Sequence, residues 1–256
     1  MNEQVSAALV LIGNEILSGR TQDANLKYIA ESLGAVGIVL LEARVIPDAQ
    51  DTIVSTLREL KTRFDYVFTT GGIGPTHDDI TSQCVAIAVD QPLELHPVAF
   101  KNMRAHFQKR SVDFNEARQR MAKTPRGATL IESAASIAPG YIADNIIVMA
   151  GVPKIMQHML TDVIPTLKHG RITISRQLHT NLPEGVLAQP LSDLQARYPQ
   201  VGIGSYPQTV KEGFHVILVT RSTDAKALDQ LDNELRDMVT AVGGQHDSQT
   251  RPMVTS

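Results

Sequence analysis

The chain has 256 residues, 43% of them hydrophobic and 20% charged, with a formal net charge of −3; it is long enough for one large domain or two small ones with a good core. A net charge of that sign argues against a general nucleic-acid binder, and no apolar run approaches the roughly 18–20 residues that span a bilayer. One cysteine, Cys84, cannot close an intramolecular disulfide and fits a reducing compartment, so a soluble cytoplasmic protein is expected, without nucleic-acid or membrane partners.

The N-terminus, MNEQVSAALVLIG, has no basic segment ahead of its apolar run and reads as a first strand over 5–12 rather than a signal peptide. Leu26, Ile29, Ala30 and Leu33 fall at helical spacing, and Gly34 and Gly37 punctuate the end of that helix. A second strand is expected over 38–46, and Pro47-Asp48 opens a helix with Ile53, Val54, Leu57 and Leu60 on one face. Residues 65–70, DYVFTT, read as a third strand leading into GGIGPTHDD. The helix beyond carries Ile80, Cys84, Ile87 and Ala88, which makes Cys84 core packing rather than a reactive thiol. Residues 92–124 read as helical, with Phe100, Met103 and Phe107 as a buried stripe. After the apolar run NIIVM and the loop AGVPK the character changes near residue 170. RITISRQLHT and FHVILVT read as strands, VGIGSYPQT as a turn-rich connection, and Ala227, Leu228, Leu231, Leu235, Met238 and Val239 as one helix face. The boundaries expected are 1–170 for an α/β domain, 171–243 for a small α+β domain and 244–256 for a disordered tail.

Strands alternating with helices imply right-handed crossovers and a mostly parallel sheet, whose ligands bind at the carboxyl ends of the strands. The unusual loops all fall there: 13–25 after the first strand, 46–48 after the second, 71–79 after the third and 150–154 after NIIVM. No phosphate-loop lysine follows the glycines, and no dinucleotide fingerprint, H-E-x-x-H or G-x-S-x-G motif occurs. The eight histidines show no compact ligand spacing. Gly71, Gly72 and Gly74 allow backbone N–H groups to converge on an anion, with the positive end of the next helix expected near Thr76 to Asp79. One of Asp78 and Asp79 has a simpler role open to it, as that helix's N-cap. If Glu15 and Asp48 reach the same edge, four carboxylates face a phosphate, a repulsive arrangement unless a cation lies between; Mg²⁺ is commonly held by carboxylates plus substrate phosphate oxygens.

LIGNEILSGRTQDAN, VIPD, TTGGIGPTHDDIT and AGVP, as an ordered set over about residues 5–168, resemble the MoaB/Mog molybdopterin-binding family. Within it they are most similar to the N-terminal domain of CinA and to the molybdopterin-binding-like domain of eukaryotic FAD synthases. The resemblance implies a three-layer α/β/α fold with a mostly parallel sheet, here followed by the small C-terminal α+β domain, and a homo-oligomer. It also implies a pocket for a pterin or an ADP-containing nucleotide. Carried over by motif, Gly71, Gly72, Gly74, Thr76, Asp78 and Asp79 belong to the phosphate and metal side, where Thr81 also supplies a ligand-binding hydroxyl, with Asp48 as an acidic active-site position. Gly13, Asn14, Glu15, Asp23 and Asn25 match the first loop, and Gly151 and Pro153 the last, where Ala150 stands in place of the usual first proline. Segment 115–140 resembles the CinA-type insertion. The activity implied is a pyrophosphatase that uses Mg²⁺ or Co²⁺, held by Asp78, Asp79 and Asp48, to release AMP from ADP-ribose, FAD or a related dinucleotide, with Glu15 or Asp48 as general base. The competing implication is a molybdopterin-binding module without hydrolysis.

Overall fold

The strand expected over 5–12 forms as β1 (Val5–Ile12), at the heart of a computed structural model that describes residues 4–131, 133, 136–208 and 216–247 and the backbone of Arg251–Pro252. Two compact units make up the chain, Met1–Gly170 and Arg171–Ser256. In the first, β1 is followed by α1 (Asn14–Leu17), α2 (Asn25–Gly34), β2 (Ile38–Ile46), α3 (Gln50–Arg63), β3 (Tyr66–Thr70) and α4 (Thr81–Ala88). Then come β4 (Leu93–Leu95), α5 (Pro97–Lys109), α6 (Glu116–Arg120), β5 (Lys123–Pro125), β6 (Thr129–Ile131), β7 (Gly140–Ala143), β8 (Ile146–Met149) and α7 (Pro153–Val163).

The main sheet has the order β2-β1-β3-β8-β7-β6. β2, β1, β3 and β8 run parallel, and β7 pairs antiparallel with both β8 and β6. Successive side chains of a strand point to opposite faces, and β1 supplies both cores. Ala7, Leu9 and Leu11 pack with Ile29 and Leu33 of α2 and Met156, Met159 and Leu160 of α7. Ala8, Val10 and Ile12 pack with Ile53, Leu57 and Leu60 of α3 and Cys84 and Val85 of α4. The result is the three-layer α/β/α sandwich, with each buried Leu or Ile contributing about 2 kcal/mol of transfer free energy. The α2 face is rotated from the expected stripe: Asn25, Ile29 and Leu33 are buried while Leu26 is 37% exposed.

Cys84 is fully buried, and burial pushes its thiol up to about 11. The folded chain disfavours the thiolate, so Cys84 should stay unlabelled by a disulfide reagent at pH 8 and react stoichiometrically after denaturation; fast native labelling would contradict its place in the core.

Residues 92–124 are not one helical stretch. Pro97 sits in the first turn of α5, a position that favours helix initiation, while Leu93–Leu95 before it pairs antiparallel with Lys123–Pro125. The stripe itself is present: Met103 is fully buried, with Phe100 and Phe107 packed beside it and Phe107 stacked on Phe114 at 5.4 Å between ring centroids.

The second unit contains β9 (Ile174–Thr180), α8 (Glu184–Arg197), β10 (Gly202–Pro207), β11 (Val216–Ser222), α9 (Ala225–Ala241) and β12 (Arg251–Pro252). Its antiparallel sheet runs β10-β11-β9-β12, packed against α8 and α9 through Leu187, Leu194, Leu218, Leu228, Leu231 and Leu235. Asp224 caps α9 by accepting from the amides of Lys226 and Ala227. Two expectations fail here. VGIGSYPQT is a strand over Gly202–Pro207, tolerated despite its glycines and proline because β10 is an edge. The described part of 244–256 is bonded rather than disordered: Asn181 N–H donates to Gln245 O, Asp247 N–H donates to His179 O, and Arg251–Pro252 pairs with β9. Among the described residues no helix is long and apolar enough to cross a membrane.

Candidate active site

Because β1, β2, β3 and β8 run parallel, the loops after all four open on one edge of the sheet. β1 lies between β2 and β3, so the chain leaves it in opposite directions, which is the switch point where such sheets form a crevice. A cleft of about 520 Å³ lies there. Ten of the expected residues line it: Gly13, Glu15, Asp48, Gly71, Gly72, Gly74, Asp78, Asp79, Gly151 and Pro153.

The glycine loop has a shape that other residues resist. Gly71 and Gly72 have φ of +100° and +67°, a region costly for residues with a Cβ. A Cβ on Gly71 would meet Ile12 O at 2.2 Å, and one on Gly151 would lie 3.2 Å from Gly71 Cα, so the two loops pack backbone to backbone. Thr81 fixes this turn from below. Its hydroxyl donates to Gly71 O at 2.9 Å and its amide to Gly72 O at 3.0 Å, and the residue has no exposed surface. Thr81, expected among the ligand-binding residues, shapes the loop from beneath and is not among the cleft's described lining residues.

The N-cap reading of Asp78 and Asp79 also fails. α4 begins at Thr81, with Ile80 in the cap position and no side-chain cap bond. Residues 76–79 instead form their own turn. Asp79 Oδ2 accepts from the Thr76 amide at 2.8 Å and from the Thr76 hydroxyl. That hydroxyl, followed by the Asp78 amide, holds the Asp78 carboxyl below the ordinary carboxylate range. Thr76 is a strut for the aspartates rather than part of the described cleft wall.

Asp48 Oδ2 accepts from the Asn14 amide at 2.8 Å, tying the loop after β2 to the one after β1. Asn14 enters the site through this backbone bond. Asp23, just before the cap position of α2, accepts from the amides of Asn25 and Leu26 in its first turn, which occupies its carboxylate locally. Asn25 is 5% exposed, and its Nδ2 donates to Gly151 O at 2.9 Å, bracing the last loop. Asp23 and Asn25 line a recess of about 60 Å³ rather than the main cleft. Among the described residues the Glu15 carboxylate accepts no hydrogen bond, and it lies over Gly13, where an added Cβ would meet both its oxygens at 2.5 Å.

Sequence reasoning missed the wall made by Met121, Ser136 and Ala138. All three lie in the 115–140 insertion, which sequence reading marked as a lineage feature without asking where it folds. No three His, Cys, Asp or Glu side chains among the described residues converge into a metal centre. The donors gathered at the cleft are nevertheless all oxygen, the set that suits a hard divalent cation.

Comparison with known proteins agrees with the fold. Residues 8–169 match the family model described as a probable molybdopterin binding domain, and residues 173–243 match the FAD synthase middle domain. The second match covers the small α+β unit, whose kinship the sequence reading did not identify. A protein of Sulfurisphaera tokodaii is 34% identical over 191 residues, 73% of each chain. One of Aeropyrum pernix is 30% identical over 239 residues, 90% of this chain and 89% of that one. Among solved structures, the protein CinA of Thermoplasma acidophilum, described as of unknown function, is 30% identical with a TM-score of 0.59, covering 64% of this chain and 99% of that one.

Proposed function

The chain belongs to the probable molybdopterin binding domain family, and from that premise we propose that its cleft hydrolyses the diphosphate of an ADP-containing dinucleotide, such as ADP-ribose or FAD, with a divalent cation. One observation carries the reading: Glu15, Asp48, Asp78 and Asp79 line a single cleft together with a glycine loop, and no lysine or arginine is among its described lining residues. A cleft for a neutral ligand has no use for four acids, whereas a diphosphate bound with its metal does.

One or two of Asp48, Asp78 and Asp79, together with the ligand's own phosphate oxygens, would hold the ion, which when bound supplies charge neutralisation and polarises the phosphoryl oxygens. Gly71 N–H is committed to Met149 O, which leaves the loop amides beyond it to bind phosphate oxygens and stabilise their growing charge. Asp48 is already engaged with Asn14, so Glu15 is the general base. It takes a proton from water as the water oxygen attacks one phosphorus; the bond from that phosphorus to the bridging oxygen breaks, and the bridging oxygen departs with the other phosphate. ADP-ribose then yields AMP and ribose 5-phosphate.

The family match over residues 8–169 favours a second reading, pterin binding without turnover. Purified protein incubated with ADP-ribose, FAD or NADH and Mg²⁺ or Co²⁺ separates the two by chromatography. Metal-dependent AMP release is expected. No AMP from any dinucleotide, with a fluorescent pterin retained in denatured extract, would overturn hydrolysis in favour of binding.

A further inference from the structure

The cleft has an electrostatic deficit. One divalent ion cannot neutralise four carboxylates and a diphosphate, so a second positive charge must reach the ligand. The side chain positioned for this comes from the insertion. Arg120, at the end of α6, donates from Nη2 to Pro75 O at 2.8 Å, and Pro75 lies between Gly74 and Asp78 of the cleft wall. The next residue, Met121, lines the cleft itself.

We propose that Arg120 is the cationic arm of the diphosphate site, resting on the glycine loop and binding the phosphates of the nucleotide. This rests on the diphosphate reading above. A guanidinium carries five N–H donors; the Pro75 bond engages one, and Arg120 is exposed. The rest of its planar fork matches two phosphate oxygens at once. The two other arginines of the insertion are committed elsewhere: Arg118 stacks its guanidinium 5.1 Å from the Phe107 ring centroid and donates to Asp113 O, and Arg126 pairs with Glu94 at 3.1 Å. The bond to Pro75 also gives the insertion a purpose, since it carries the charge to the loop that presents Asp78 and Asp79.

Calorimetric titration of the full chain with ADP and with AMP, in Mg²⁺, tests this on wild type, Arg120→Gln, Arg120→Lys and the surface control Arg126→Gln. Arg120→Gln should weaken ADP roughly tenfold to a hundredfold, the range for a hydrogen bond to a charged group, and narrow the preference for ADP over AMP. Arg120→Lys should recover part of the loss, and Arg126→Gln should match wild type. An equal loss for ADP and AMP, or no loss for either, overturns the assignment, because support of the Pro75 carbonyl alone would not discriminate the two ligands. Wild type that binds neither nucleotide but binds pterin would instead overturn the diphosphate reading, and the role of Arg120 with it.

Discussion

Replacing Gly71 with alanine should destabilise the sheet unit by about 3 kcal/mol, or roughly 6–12 °C in melting temperature for a domain of this size. Two causes add. A Cβ at φ +100° is strained by itself, and here it also drives into Ile12 O at 2.2 Å. That oxygen belongs to the backbone at the end of β1, so relief requires shifting a strand rather than turning a side chain. Gly127 separates the two causes. It has φ +79°, yet a Cβ there meets nothing within 4 Å, so Gly127→Ala should lose only about 1 kcal/mol from conformation. Thermal melts of both variants read the difference directly. Equal losses would mean that the loop relaxes freely and that the Gly71 contact carries no rigidity. Activity should vanish in Gly71→Ala even below its melting temperature, because the displaced turn also holds Thr81 and abuts Gly151.

Asp79→Ala and Asp79→Asn should each reduce AMP release by about a hundredfold or more, the order seen when a charge-stabilising group is removed. The pair distinguishes shape from charge. Asparagine keeps an oxygen for the Thr76 amide, whereas alanine loses that bond too. If Asp79 serves only to hold the turn at 76–79, the asparagine variant keeps most of its rate. If its charge is needed, both variants fail alike, and raising the metal concentration restores part of the asparagine variant's rate. The turn is exposed at Pro75, Thr76, His77 and Asp78, so neither change should move the melting temperature by more than about 2 °C for a unit this large.

The parts of the fold written in apolar runs were legible from the residues. β1 and β3 are nearly unbroken hydrophobic stretches, and the loops that follow parallel strands must share an edge, so the gathering of Glu15, Asp48 and Asp79 followed from topology. What escaped were roles set by hydrogen bonds between distant or neighbouring backbone groups. Thr81 and Asp78 look alike as polar residues after a glycine run, yet one lies under the turn and the other on its rim. Asp23 resembles a ligand until the two α2 amides it serves are seen. The strand at 202–207 hid behind its glycines because an edge needs little hydrophobic signal. Arg120 gave no signal at all, since its partner is the carbonyl of a proline 45 positions away.

The position of β8 bears on how the chain is made. It is the last parallel strand to be translated, yet it fills the gap between β3 and β7. Until it emerges, Val67 and Phe68 lie on an open strand edge that already has its other neighbour, β1. Ribosomes add about 5–20 residues per second, so the whole of 71–145 must pass before that edge is closed, roughly four to fifteen seconds at those rates. The glycine loop at 71–79 is therefore synthesised long before the neighbour that braces it, and the intervening helices are completed while the half-built sheet waits.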